Sequence, residues 1–391
     1  MKKEIKNKQE RGITLIALVV TIVVLLILAG VSISLVINNN GVISKAKDAR
    51  DKYAEAQTND EKQLNEVSDW IKEAVGDTTG GSGSTVDGVP IPAGFVYVGG
   101  TKDSGLVISD NSDVDKEKYK GQSTVGTDLV GNQFVWIPVE NIADYKRTAY
   151  SRLIASGITD TATNSEQIKY SRSDSNYFKE ALPADEKTSV ETNKGFYIGR
   201  YEAGDQESTN SKKLRARGAS ISNTITVKAG QAPYNYVTRT QAQSLAEGFS
   251  TKQKYTSVKS KLVSSYAWDT AIAFIQKTNS NYGNSSEEGN YKDSPTFTYT
   301  GIADTEKNKQ TKAYGTSTLI PTGQTTAVNN IYDMGGNVNE WTTESYSNTG
   351  STYTHRGGSY SNNFASSPAG YRVSSSDSAY VGTGFRLTLF L

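Results

Sequence analysis

From Ile13 to Ile37 the chain carries no charged side chain, and this run constrains everything that follows. Twenty-five residues at about 1.5 Å each exceed the roughly 30 Å of a bilayer's hydrocarbon core, so the run predicts a helix that crosses a membrane. A secretory signal has a shorter apolar core, roughly 7–15 residues, with small residues at a cleavage site after it. Here the small residue, Gly12, comes first. The leader before it holds Lys2, Lys3, Lys6, Lys8 and Arg11 against Glu4 and Glu10. Positive flanks stay cytoplasmic, so the chain beyond Ile37 is expected to face outward, as a membrane-anchored extracellular domain.

Asn38-Asn39-Asn40-Gly41 then interrupts the helical pattern. From Val42 to Val75 small or apolar residues (Ala46, Ala49, Tyr53, Ala56, Leu64, Val67, Ile71) recur at three- and four-residue spacings among charges. That predicts one narrow stripe on an amphipathic stalk helix. A Gly/Ser/Thr run after Asp77 reads as a flexible linker. The expected organisation is a leader at 1–12, an apolar helix and stalk at 13–76, a linker at 77–88 and one large domain at 89–391.

Gly12 followed by Ile13-Thr14-Leu15-Ile16 resembles the processing site of type IV pilins and type II secretion pseudopilins. The resemblance implies that a prepilin peptidase cuts after Gly12, that Ile13 becomes a methylated N-terminus, and that other pilin-like subunits are partners. It also has a departure: Ala17 stands where fibre-forming pilins usually carry a glutamate that pairs with a neighbouring subunit. That sets the chain apart from a major fibre subunit. The plain alternative is an uncleaved anchor.

About 300 residues remain after the linker, enough for one domain with a sizeable core. The formal net charge is +1 and no basic block stands out, so no nucleic-acid partner is expected. There is no cysteine and one histidine, His355. Thiol catalysis, disulfides and cysteine-ligated metals are excluded. A Ser-His-Asp triad is disfavoured, because no Gly-x-Ser-x-Gly elbow accompanies the single histidine.

Short strand patterns occur at Gly94–Gly100, Leu106–Ser109, Gln133–Val139 and from Gly195. Helices are expected at Thr240–Phe249 and Ser265–Lys277. Residues 141–190 read as a polar insertion with some helix, and 278–325 as loop. The strongest local patterns are Gly336-Asn337-Val338-Asn339-Glu340-Trp341, Arg356-Gly357-Gly358-Ser359-Tyr360 and Gly384-Phe385-Arg386. With Phe134-Val135-Trp136-Ile137-Pro138 and Phe196-Tyr197-Ile198-Gly199-Arg200-Tyr201-Glu202 before them, they resemble the formylglycine-generating-enzyme (sulfatase-modifying factor) family. The resemblance covers most of 89–391 and implies a C-type-lectin-like fold: a small antiparallel sheet, two helices and long loops. The fold class expected is therefore α+β, an N-terminal transmembrane, pilin-like helix followed by an irregular, loop-rich domain. Read physically, Gly335, Gly336, Gly357 and Gly358 permit tight turns, Trp341 and Phe385 anchor a core, and Arg356 and Arg386 are expected to pair with Glu340 or Glu202.

In the family's enzymes paired cysteines hold copper, and related sulfoxide synthases use a histidine cluster to hold iron. This chain has neither, so no enzyme activity and no cofactor are expected. Calcium is the one ion the resemblance admits. The most acidic cluster, Asp110-Asn111-Ser112-Asp113-Val114-Asp115, lacks the glycine and terminal glutamate of an EF-hand loop.

Between the motifs the chain is filled with Tyr, Ser, Asn and Thr, as in antibody paratopes, where Tyr supplies rigid area and Ser/Asn adaptable hydrogen bonds. The segment also resembles the variable region of proteins diversified by retroelements. The contact residues this implies are Tyr346, Asn348, Tyr353, His355, Tyr360, Asn362, Asn363, Phe364, Tyr371 and Tyr380, facing an extracellular protein or glycan. Three functions stay open: a displayed binding protein, a structural minor pilin, and an enzyme with unrecognised residues.

Overall fold

The computed structural model describes residues 15–37, single positions between 45 and 60, and residues 83–150, 167–169, 177–302, 309–346 and 352–391. The chain divides into two compact units, Met1–Gly80 and Gly81–Leu391. In the first, helix α1 spans Leu15–Ile37 with no acidic residue in its first turn and no basic one in its last. Its large apolar side chains from Leu18 to Leu28 are 47–67% exposed. Side chains of α1 are described only from 18 to 29, and among the described residues no helix is long and apolar enough to cross a membrane. Gly12, Ile13 and most of the expected stalk lie outside the described residues.

Among the described residues, two six-stranded sheets dominate the second unit, beside one three-stranded and two two-stranded sheets. The strands of the two large sheets, in chain order, are β1 Val96–Gly99, β2 Val107–Ser109, β3 Gln133–Pro138, β4 Gln167–Lys169, β5 Tyr177–Lys179, β6 Gly195–Gly199 and β7 Lys259–Leu262. They continue with β8 Asn339–Ser345, β9 Thr352–Arg356, β10 Arg372–Ser376, β11 Thr383–Phe385 and β12 Leu387–Phe390. The central sheet is antiparallel in the order β7-β12-β6-β3-β2-β1. The second runs β10-β9-β8-β5-β4, with β11 added parallel to β8. The expected strand segments all fall on the central sheet.

Both faces of the central sheet are covered, which explains its continuous apolar runs. Val135 and Ile137 of β3, with Phe196 and Ile198 of β6, enter one core cluster. Phe134, Trp136 and Tyr197 enter the other. Alternate residues of a strand point to opposite faces, so a strand buried on both sides loses its polar positions.

Among the described residues four α-helices occupy this unit: α2 Ala184–Asn193, α3 Gln206–Asn210, α4 Arg239–Lys252 and α5 Ser265–Ile275. On α4, Ala242, Leu245, Ala246 and Phe249 recur on one face and enter the second cluster. Thr238 and Gln241 close a capping box at its start. Helix α5 is buried along almost its whole length, N-capped by Ser264. Two regions are more regular than expected. Ser84–Val86, at the end of the expected linker, pairs with Val89–Ile91 across an Asp87-Gly88 turn with both φ positive, and Phe297–Thr300 pairs with Lys309–Lys312 inside the expected loop.

Candidate functional site

The C-terminal motifs lock the interior. Arg386 grips Glu340 through both oxygens, at 2.7 and 2.9 Å, and donates to the carbonyls of Gly199 and Tyr332. This is the bidentate geometry that suits a guanidinium. Because Glu340 is filled, Arg356 does not pair with it as expected. It reaches Asp269 of α5 at 2.6 Å instead, while Glu202 is held by Asn337. Arg356 faces Arg372 across β9 and β10. Two like charges so placed need a shared anion, and Asp269 bonds both. Glu344 bonds Arg372 and Arg147, which hold its carboxyl down at about 2 against desolvation. All these side chains are buried. Gly358, at φ +70°, lets this turn pass close to Ser367, where a Cβ would meet a carbonyl oxygen at 2.2 Å.

Trp341 and Phe385 are fully buried, as expected. His355 departs from its expected role as a contact. It is 9% exposed, lies edge-on to Trp341 at 5.3 Å, and leaves Nδ1 without a partner. Burial lowers its pKa to about 3, so the ring stays neutral and apolar in function. The residue stands in the last part of β9, where Thr354, His355 and Arg356 are all buried and His355 pairs with Trp341 of β8.

Several of the other candidates converge on one short segment, residues 235–240, that sequence reasoning did not single out. Tyr353 lies under the Arg239 guanidinium at 4.9 Å, and Arg239 is held by the carbonyls of Thr342 and Thr343. The Tyr380 carbonyl accepts from the Tyr236 N–H at 3.0 Å, and the Val381 carbonyl from Asn235 Nδ2 at 2.8 Å. Tyr360 joins them, since a Cβ on Gly382 would sit 3.7 Å from its ring. Tyr380 and Val381 are 49% and 41% exposed, and Tyr236 and Tyr360 are half-buried. Tyr236 has φ +48°, a left-handed conformation that costs a bulky residue on the order of 1–3 kcal/mol and tends to mark functional sites.

The remaining candidates are placed elsewhere. Asn362 turns its Oδ1 inward to accept from the N–H and hydroxyl of Ser359. Asn363 is exposed, and Phe364 is edge-on to Tyr291 at 6.4 Å, held by Asp293. Tyr346 packs on Phe178 at 5.0 Å, and the Tyr371 carbonyl holds Arg356 Nε. Asn348 lies outside the described residues. No spacing pattern marks 235–240; the one available signal is Pro233-Tyr234-Asn235-Tyr236, turn-forming and aromatic together.

The acidic loop does not fit a cation. Asp110 accepts from the backbone and side-chain nitrogens of Asn132 and from Tyr255, Asn111 from the Asp113 N–H, and Asp115 from the N–H groups of Glu117 and Lys118. Asp110 thus braces Asn132 and Tyr255, and Asn111 and Asp115 close their own turns. Among the described residues no three His, Asp or Glu side chains gather to hold a metal. The shifted acids also face inward. Burial and the nearby Glu344 raise Glu180 to about 8, and burial raises Glu340 to about 7. Both are buried among protein partners, so the shifts describe scaffold rather than an acid–base pair facing a substrate.

Among solved structures the chain is similar to CarF, at 18% identity over 50% of this chain and 87% of that one, with a TM-score of 0.33. It is similar to PvdO from Pseudomonas aeruginosa at 16% identity over 51% and 82%, with 0.30, and to Treponema denticola variable protein 1 at 15% over 68% and 98%, with 0.35. No curated protein sequence matches it. The family model of the sulfatase-modifying factor enzyme 1-like domain matches residues 138–389, more than half of the chain. The match spans four of the five motifs and the second sheet, and it starts at Pro138, the last residue of the first motif and of β3, so β1 and β2 lie before it. The chain thus belongs to the sulfatase-modifying factor enzyme 1-like family, with the mixed α/β, C-type-lectin-like domain of that family.

Proposed function

We propose that this protein is a non-catalytic ligand-binding protein whose C-terminal domain presents a tyrosine-rich contact surface. The observation that carries the reading is the division of labour after residue 339. Trp341, Arg356, Phe385 and Arg386 of the motifs are buried, while Tyr353 lies against Arg239, Tyr380 is tied to Tyr236, and Tyr360, the half-buried last residue of the Arg356 motif, lies beside Gly382. Tyr gives rigid contact area at low entropy cost, and the Ser and Asn around it give adaptable hydrogen bonds. The absence of cysteine from the sequence supports a non-catalytic role, since copper chemistry in this family needs it. The ligand is an extracellular protein or glycan, and retroelement diversification of the C-terminal loops is part of the proposal.

The exposed apolar side chains of α1, in a run without charge from Ile13 to Ile37, support a membrane anchor over 13–37, with the domain outside the cell. On the same reading a prepilin peptidase cleaves after Gly12 and Ile13 becomes the N-terminus. The exposed apolar run of α1 also suits a second reading, a minor pilin packed among pilin-like subunits. Co-expression with a prepilin peptidase and intact-mass measurement separates processing from plain anchoring: loss of residues 1–12 supports the first, an unchanged mass the second.

The binding reading is tested by screening the whole chain in micelles against panels of extracellular proteins and glycans. The comparison is a variant with Tyr236, Tyr360 and Tyr380 all changed to Ser. A ligand held by the parent and lost by the variant is expected. Equal capture by both removes the surface from the proposal. A reverse transcriptase and an adenine-rich repeat of the 3′ coding segment in the flanking DNA are expected; their absence removes diversification alone.

A further inference from the structure

Helix α4 begins with a backbone amide that its own residues do not satisfy. The first turn of a helix leaves orphan N–H groups. The capping box disposes of two: Thr238 Oγ1 accepts from the Gln241 N–H, and Gln241 Oε1 accepts from the Thr238 N–H. Thr240 N–H, between them, is taken by a residue 137 positions away. Asp377 Oδ1 accepts from it at 3.2 Å, and Asp377 Oδ2 accepts from the Thr240 hydroxyl at 2.6 Å. A carboxylate here also meets the positive end of the helix dipole. Asp377 belongs to the loop that carries Tyr380, not to any helix or strand.

The same loop is tied twice more to the segment that leads into α4. The Tyr380 carbonyl takes the Tyr236 N–H and the Val381 carbonyl takes Asn235 Nδ2. The loop closes on itself through Ser378 N–H to the Ser376 carbonyl at 2.7 Å and Thr383 N–H to the Tyr380 carbonyl. Backbone and Asp377 thus face the shelf at 235–240, leaving the side chains of Tyr380 and Val381 free to project. A loop fixed before its ligand arrives avoids the ordering entropy that binding otherwise costs.

We propose that loop 377–382 is a preformed recognition element and that Asp377 is its positioning residue, clamped to the start of α4. This rests on the contact-surface reading above. Asp377 touches no ligand on this account; it sets where Tyr380 and Val381 stand. Because its partners are a backbone N–H and a hydroxyl, asparagine keeps most of the clamp through Oδ1, and alanine keeps none.

Amide hydrogen exchange on the whole chain in micelles, without ligand, tests the clamp. In Asp377→Ala, exchange at Tyr236, Thr240 and Thr383 is expected to rise by about tenfold, as for a lost N-cap bond, while amides elsewhere change less and the melting temperature falls by no more than about 4 °C. In Asp377→Asn the same amides stay within about threefold of the parent. Unchanged exchange in Asp377→Ala overturns the proposal, and so does a rise spread over the whole domain with a lower melting temperature, which assigns Asp377 to general stability. Tyr380→Ala separates the two readings. Parent-like exchange leaves Tyr380 free for contact, whereas a rise matching Asp377→Ala makes the tyrosine structural and removes it from the contact surface.

Discussion

Two sets of residues share the last fifty positions and do opposite things. Arg356, Arg372 and Arg386 are fully buried, each bonded to a carboxylate from another element. Tyr360, Tyr380 and Val381, lying among them in sequence, carry exposed or half-exposed side chains on backbone held from below. The arginines reach across the domain, to Asp269 on α5 and Glu340 on β8, and so fix β9, β10 and β12 in place. The tyrosines between are relieved of structural duty. A fold stabilised this way tolerates change at its contact positions, because none of the buried ion pairs depends on them.

The comparison breaks most severely at Arg372. Its removal leaves Asp269 and Glu344 buried beside fewer cations, and uncompensated buried charge costs about 3–5 kcal/mol. Arg372→Ala is expected to lower unfolding free energy by that amount in a urea titration. His355 tests the same interior through pH. Its folded pKa, about 3, lies below the unfolded value, so the unfolded chain binds the proton first as pH falls below about 6.5. Stability is lost on the acid side, by about 1.4 kcal/mol per pH unit. His355→Phe fits the apolar site and is expected to remove that component. Between pH 6.5 and 4.5 the two proteins should diverge by about 2–3 kcal/mol, the phenylalanine form being the more stable at the acid end.

Much of the scaffold was legible in the sequence. Continuous apolar runs pointed to strands β3 and β6, helical patterning to α4 and α5, and the motifs to buried Trp341 and Phe385; that Arg386 pairs with a motif glutamate was expected, but which of Glu340 and Glu202 it takes was left open. Partners across long separations were not legible. Nothing in the spacing ties Arg356 to Asp269, 87 positions away, and the nearer Glu340 is unavailable only because Arg386 fills it. His355 looked polar and accessible, yet its place opposite Trp341 on β8, in the buried end of β9, covers it. The shelf at 235–240 escaped notice because it is assembled by backbone groups, which residue identity does not reveal.

Smaller effects sharpen the boundary between the two sets. Tyr353 stands on it, half-buried with the Arg239 guanidinium over its ring. Tyr353→Ala is expected to cost about 1 kcal/mol, from the lost cation–π contact and packing, measured by thermal unfolding. Tyr380→Ser lies fully on the contact side and is expected to stay within about 0.5 kcal/mol of the parent.

The central claim is that folding and recognition are carried by different residues of one segment. The most direct measurement is a substitution scan of residues 339–390 on a display platform, scored for folded protein. The account predicts that Trp341, Arg356, Arg372, Phe385 and Arg386 tolerate almost nothing, while Tyr360, Asn363, Tyr380 and Val381 accept most side chains. Intolerance at these four positions equal to that at the arginines would contradict it.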